Sequence, residues 1–361
     1  MIEDLIKPNI KALKAYTIEA TSCSIRLDAN ESPYGFPLGQ FRLPTNRYPD
    51  PDARSLRRFL AEKWGVEPEC ILHGNGSDEL IYYLLTAIGG PALIPAPTFS
   101  MYRIIADSLG EKNLMVALDG QFDLDMEPML SAIKQNNPKI IFLSRPNNPT
   151  GNSFAYGKVI EIIEKAGGLV ILDEAYQPFS TRGDSFVDLL PRYRNLLVMR
   201  TLSKIGLAAL RLGFLIGDKT IIEAVNKVRL PYNVNSLSQA AAIGILEDEK
   251  SIEKGINSVI DERDNLFAEL SELDGIRAYS SNANFILFKL NINSPLTADA
   301  LHKKLIEDDI LIKKLAGGGS TGVAGGAVGP LDNCFRVTVG TPKENAAFIS
   351  SIKRIIEETN K

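Results

Sequence analysis

Cysteine is scarce in this chain: Cys23, Cys70 and Cys334 lie far apart and form no Cys-x-x-Cys pair. That usage suits structural thiols in a reducing cytoplasm, and no metal centre is expected from it. Long apolar runs are missing as well; the longest read as short strands, so no segment is expected to span a membrane. The N-terminal stretch MIEDLIKPNIKALKAY alternates charged and apolar residues without an uninterrupted apolar core, which argues against a secretory signal peptide. Nor is there a surplus of positive charge. With 40 basic against 44 acidic residues, a net charge of −4 and no basic patch interleaved with aromatics, nucleic acid is not the expected partner, because a phosphate backbone demands clustered cations. Internal repeats are absent too. What remains is an ordinary globular composition, 45% hydrophobic and 23% charged, on 361 residues, enough for two domains at roughly 100–200 residues each.

The middle of the chain alternates short apolar runs with segments of helical period. Residues 140–143 (IIFL), 169–172 (LVIL), 196–199 (LLVM) and 214–216 (FLI) read as buried strands, and residues 156–166 as a helix between two of them. Buried strands separated by helices indicate an α/β domain with a mostly parallel central sheet covered on both faces. Ligands of such sheets bind beyond the carboxyl ends of the strands. Residues 238–273 are polar and helix-rich. After Gly275 the pattern changes: residues 285–290 and 335–339 read as strands around a helix at 298–308, as in a smaller α+β domain. Gly317, Gly319 and Gly322 satisfy the dinucleotide pattern Gly-x-Gly-x-x-Gly. That fingerprint needs a helix starting within it and an acidic residue about 20 positions on. Here glycines continue to Pro330 and Arg336 stands near the acid's place, so a surface loop is the better reading.

Four short stretches carry chemistry. They are GNGSDE (74–79), RPNNPTG (145–151), DEAYQPF (173–179) and TLSKIGLAALRLGF (201–214), the last three at or just beyond expected strand ends. In this order and spacing they resemble the aspartate-aminotransferase-like group of fold-type I enzymes, which use pyridoxal 5'-phosphate (PLP). The resemblance covers nearly the whole chain. It implies a large PLP-binding domain at residues 37–275, a small C-terminal α+β domain at 276–361, and an N-terminal arm, 1–36, belonging with the small domain and the substrate site.

The resemblance also assigns roles. Lys204 stands where the family carries the lysine whose amine joins the cofactor aldehyde, an amine that must shed its proton to act. Asp173, ending LVILD, would pair with the pyridinium nitrogen and keep the ring an electron sink. Tyr176 and Asn148 match the pair that hydrogen-bonds the ring's phenolic oxygen and favours its anionic form. The phosphate would be held by the amides of Ser77 and Asp78 at a helix N-terminus, by the hydroxyls of Thr201 and Ser203, and by Arg211. Arg211 follows Lys204 by seven residues where eight is usual, as in a tightened loop. Phe99, in APTFSMY, matches the aromatic that stacks on the ring.

On the substrate side, LDANESPYG (27–35), RYPDP (47–51), PYNVNSLSQ (231–239) and FRVTVGT (335–341) together are similar to the histidinol-phosphate aminotransferase family. That likeness makes Arg336 the guanidinium fork for the substrate's anion, with Tyr16 as a second contact and Asn30 beside it. Tyr48 matches a tyrosine contributed across a homodimer with shared active sites. A second arginine that the family places after a small-domain strand is replaced, in ILIKKL (310–315), by Lys313, which keeps the charge and loses the planar fork. The expected substrates are histidinol phosphate and glutamate or 2-oxoglutarate, in the cytoplasm. Threonine-phosphate decarboxylase and a broad aromatic aminotransferase stay open as alternatives on the same scaffold.

Overall fold

The computed structural model describes residues 23–28, 30–34, 46–180, 185–291, 296–315 and 331–359. Tyr16 and the glycine-rich segment 316–330 lie outside the described residues. In chain order the strands are β1 (Ile25–Leu27), β2 (Ile71–Asn75), β3 (Ala92–Ala96), β4 (Asn113–Ala117), β5 (Ile140–Ser144), β6 (Leu169–Asp173), β7 (Leu196–Thr201), β8 (Leu212–Gly217), β9 (Ile276–Ala278), β10 (Phe285–Leu290), β11 (Ile310–Lys314) and β12 (Cys334–Thr338).

Seven of them form one sheet, ordered β2-β8-β7-β6-β5-β3-β4. Its interior strands are largely apolar because helices cover both faces: β5 and β8 are buried at every position. One side packs the helices Arg54–Trp64, Met126–Asn136, Tyr156–Lys165 and Ser236–Leu246 against the sheet, and the other packs Ser77–Ile88, Met101–Leu109 and Lys219–Asn226. The sheet is parallel except at β8, which runs antiparallel to both β7 and β2. Residues 214–216, read from the sequence as one more buried strand, are therefore the reversed member of the sheet. Register levels the strand ends: Ser144 pairs with Asp173, Asp173 with Met199, and Thr201 with Gly213.

Three strands of this sheet escape the apolar-run reading. ILHGN carries a histidine and a glycine, NLMVA is only half buried, and ALIPA has a proline inside it. Proline lacks the N–H a ladder needs, and β3 accordingly pairs with β5 only through Ala92 and Leu93, before Pro95.

The second sheet, β1-β11-β12-β10-β9, is antiparallel apart from the β1–β11 pair. The helices Ala298–Glu307 and Pro342–Thr359 bury Leu301, Leu305, Phe348 and Ile352 against it, beside the stacked rings of Phe288 and Phe335. The 23-residue helix Glu249–Ser271 leads from the large sheet to the small one and packs on β9 and β10. Among the described residues no helix is long and apolar enough to cross a membrane.

Candidate active site

Strand direction gathers the site on one edge of the large sheet. Chains leaving β2, β3, β5, β6 and β7 at their carboxyl ends emerge there, and because β8 is reversed, the residue just before it, Arg211, arrives at the same edge. One cavity of about 90 Å³ is lined there by Ser77, Asp78, Phe99, Asn148, Asp173 and Tyr176. Its remaining wall is built from Thr201, Ser203, Lys204 and Arg211, together with Ser144 and Ala175. Every residue expected from the sequence to hold PLP is on that wall.

Asp173 is the most constrained. It is 4% exposed; its Oδ2 accepts from Tyr102 Oη at 2.6 Å and its Oδ1 from the Ala175 N–H at 2.9 Å. Burial pushes its carboxyl up to about 6 against those two hydrogen bonds and the charge of Lys204, while Asp78 adds repulsion. Burial and Asp173 together hold the Tyr102 hydroxyl protonated, well above the usual phenol range. Tyr102 escapes a sequence reading: Phe99 and Tyr102 sit in one motif, and only the packing of the Tyr102 ring on Phe142, centroids 4.7 Å apart, aims its hydroxyl at the end of β6.

At the other end of the cavity the Ser77–Ile88 helix presents its first turn. Gly76 has φ +85° and faces Arg211; a Cβ there would stand 2.5 Å from a guanidinium nitrogen. Gly213, in β8, lets that turn approach, since a Cβ on it would lie 2.6 Å from the Gly76 carbonyl carbon and the Ser77 nitrogen. Arg211 itself adopts φ +51°, sits 3.7 Å from Asp78 and donates to Ser203 Oγ at 3.5 Å. Burial raises the Asp78 carboxyl, with Arg211 and Lys204 opposing. Thr201 Oγ1 donates to Ser203 Oγ at 3.0 Å and accepts from the Ser203 N–H.

This wall fits PLP on its own observations. A buried carboxylate whose burial disfavours charge would be relieved by a pyridinium. A helix start, hydroxyls and a guanidinium, with glycine where side chains would intrude, suit a phosphate. Lys204, with Nζ 5.8 Å from the centroid of the Tyr176 ring, lies between the two ends.

A polar chain leads away toward the small sheet. Tyr176 Oη accepts from Asn30 Nδ2 at 3.0 Å and from Asn148 Nδ2 at 3.4 Å. Asn148 Oδ1 in turn accepts from Arg336 at 2.6 Å, and Arg336 also donates to the Asp28 carbonyl at 2.7 Å. Thr338 fixes Asn30 by accepting from its N–H and donating to its Oδ1. Lys313 is the cross-strand neighbour of Arg336. Tyr48 is placed elsewhere. It is 80% exposed, stacks on Tyr232 with centroids 4.6 Å apart, and does not line the cavity. Arg229 ties the two tyrosine segments together, donating to the Pro51 carbonyl at 2.8 Å and to Asn233 at 3.0 Å.

Known proteins resemble this chain over most of its length. The family model for aminotransferase class I and II matches residues 40–352. The chain is 44% identical over 361 residues to histidinol-phosphate aminotransferase 2 of Nitrosococcus oceani, covering 96% of each. It is 40% identical over 365 residues to the histidinol-phosphate aminotransferase of Aquifex aeolicus, covering 98% of each. The crystal structure of the Sinorhizobium meliloti histidinol-phosphate aminotransferase in complex with pyridoxal-5'-phosphate has the same fold, with a TM-score of 0.84, 23% identity and 98% of both chains covered.

Proposed function

The chain belongs to the class I and II aminotransferases, and within them to the histidinol-phosphate aminotransferases; on that premise we propose how its residues divide the work. The reaction is PLP-dependent transamination between histidinol phosphate and 2-oxoglutarate, in histidine biosynthesis. The observation that carries the assignment of residues is the unbroken chain Arg336–Asn148–Tyr176–Asn30, which joins the anion fork to the cofactor wall.

Bound PLP supplies an electron-withdrawing ring that stabilises negative charge on the substrate carbon as its proton leaves. Asp173 would hold a proton at the ring nitrogen, its own charge maintained by Tyr102 and Ala175. Ser77, Asp78, Thr201, Ser203 and Arg211 would hold the phosphate, and Phe99 would cover the ring. Tyr176 and Asn148 donate toward the phenolic oxygen. Lys204 Nζ would hold the cofactor aldehyde and, as a free amine, would take the proton from the substrate carbon and return it. Arg336, with Lys313 beside it and Asn30 and Tyr16 as further contacts, orients the substrate by its anionic end.

The finer readings follow the same premise. The active enzyme is a cytoplasmic homodimer in which Tyr48 serves the neighbour's site; its 80% exposure, and that of Leu230 and Leu237 at 65% and 60%, suit a covered surface. Residues 37–275 form the large domain, 276–361 the small one, and 1–36 an arm shared with the small sheet. The test is a comparison of steady-state kcat/KM for histidinol phosphate, phenylalanine and threonine phosphate on one preparation. Histidinol phosphate should lead. Faster turnover of phenylalanine, or decarboxylation of threonine phosphate, would replace the reading by one of its rivals.

A further inference from the structure

Beyond Phe99 and Asn148, which both cavities share, a second cavity of about 290 Å³ opens toward the small sheet. Its wall contains four cationic side chains, Arg103, Lys313, Lys314 and Arg336, and among the described residues no acidic one. Lys314 is neutralised from outside by Asp299. Arg336 and Lys313 are adjacent across β11 and β12. Arg103 comes from the opposite side, on the Met101–Leu109 helix of the large domain.

Arg103 is a half-buried guanidinium with no acidic side chain in ion-pair range among the described residues, and its Nε is buried without a hydrogen-bond partner. A buried guanidinium N–H left unpaired is unfavourable in the ligand-free protein. A cavity with cationic side chains and no acidic one among its described lining favours an anion, and the more so the greater its charge. Of the two substrate classes, a carboxylate carries one negative charge, whereas a phosphate monoester carries nearly two at neutral pH.

We propose that Arg103 is a specificity-determining residue that, with Lys313, grips the phosphate end of the substrate and so favours phosphate monoesters over carboxylates. The inference rests on the aminotransferase reading and deepens it. It also accounts for Lys313. A small-domain strand that presents a point charge in place of a planar fork is complemented by a fork arriving from the large domain. Arg103 would thus hold the phosphate from one side while Lys313 and Arg336 hold it from the other.

The test uses the holoenzyme. For wild type, Arg103→Gln and Arg103→Lys, kcat/KM is measured with histidinol phosphate and with glutamate, and inorganic phosphate is titrated as an inhibitor competing with glutamate. In Arg103→Gln the ratio of the two kcat/KM values should fall about tenfold to a hundredfold, the span of a charge-assisted hydrogen bond. The inhibition constant of phosphate should rise by a similar factor, and Arg103→Lys should recover part of both. Because the ratio is taken on one folded protein, a general loss of structure cancels from it. A ratio within threefold of wild type, or unchanged inhibition by phosphate, overturns the inference. Should the wild type fail to turn over histidinol phosphate, the substrate reading falls, and the inorganic phosphate titration alone decides the role of Arg103.

Discussion

Replacing Tyr102 by phenylalanine removes the hydrogen bond to Asp173 with little change in shape. The ring is fully buried and stacked on Phe142, so the substitution keeps the packing and removes only the hydroxyl that donates to Asp173 at 2.6 Å. Asp173 is raised from 3.8 to about 6 in the folded apoenzyme. A carboxyl raised by folding binds more protons folded than unfolded, so its contribution is fully present below about pH 4 and is lost as pH rises through about 6. That rise corresponds to roughly 3 kcal/mol lost across the window. The Tyr102 hydroxyl is worth ~1.5–3 kcal/mol to the carboxylate and ~0.5–1.5 kcal/mol to the neutral acid. Its removal therefore raises the Asp173 carboxyl further. Near pH 5 the two proteins share a protonated Asp173. By pH 8 the variant should have lost about 1.4 kcal/mol more than it had at pH 5. At ~2.1 cal/mol/K per residue over 361 residues, that is a widening of the Tm gap by about 2 °C. Thermal unfolding of the PLP-free proteins from pH 4 to 8 measures it. The same substitution in an Asp173→Asn background should show a gap independent of pH. If the wild-type gap were also flat from pH 5 to 8, the hydrogen bond to a titrating Asp173 would be refuted.

Three other outcomes are expected. Lys204→Ala should lose both transamination and the visible absorbance of lysine-linked cofactor; turnover near the wild-type rate would remove Lys204 from its role. Gly213→Ala should push the first turn of the Ser77–Ile88 helix away from β8, because the backbone it would meet stands 2.6 Å away. The expected result is a destabilisation of about 1–3 kcal/mol with PLP affinity reduced, and an unchanged PLP dissociation constant would speak against that helix as the phosphate anchor. Tyr48→Phe and Lys204→Ala, each inactive alone, should regain activity when mixed under subunit exchange, since a hybrid dimer restores one complete site; no recovery, with exchange verified by mass, would count against a site shared between subunits.

The chemistry of the cofactor wall was legible in the sequence because each part is short and local. A strand ends and the next few residues carry the function: Asp173 closes β6, Lys204 follows β7, and Asn148 follows β5. Such motifs keep their spacing whatever the rest of the fold does. Two strands of the small sheet, β10 and β12, were readable because apolar residues dominate them despite Lys289 and Arg336. Strands whose apolar pattern is broken by polar residues or by proline, β2 and β3, were not, although β2 leads into the turn that lines the cavity with Ser77 and Asp78.

Only the tertiary structure decided what depends on distance across the chain. Tyr102 meets Asp173 over 71 residues, Arg336 meets Asn148 over 188, and Asn30 meets Tyr176 over 146. The reversal of β8 is likewise invisible locally, because a strand buried on both faces reads the same in either direction, yet it is this reversal that brings Arg211 to the site edge. Arg103 is the extreme case. In the sequence it is one more charge on a helix, and only folding sets it in a cavity with Lys313 and Arg336 that has no acidic side chain among its described lining residues. Sequence determines which groups can do the chemistry, since that follows from residue type and near neighbours. The fold determines which of them stand together, since charge and hydrogen-bond balance are sums over everything packed around a group.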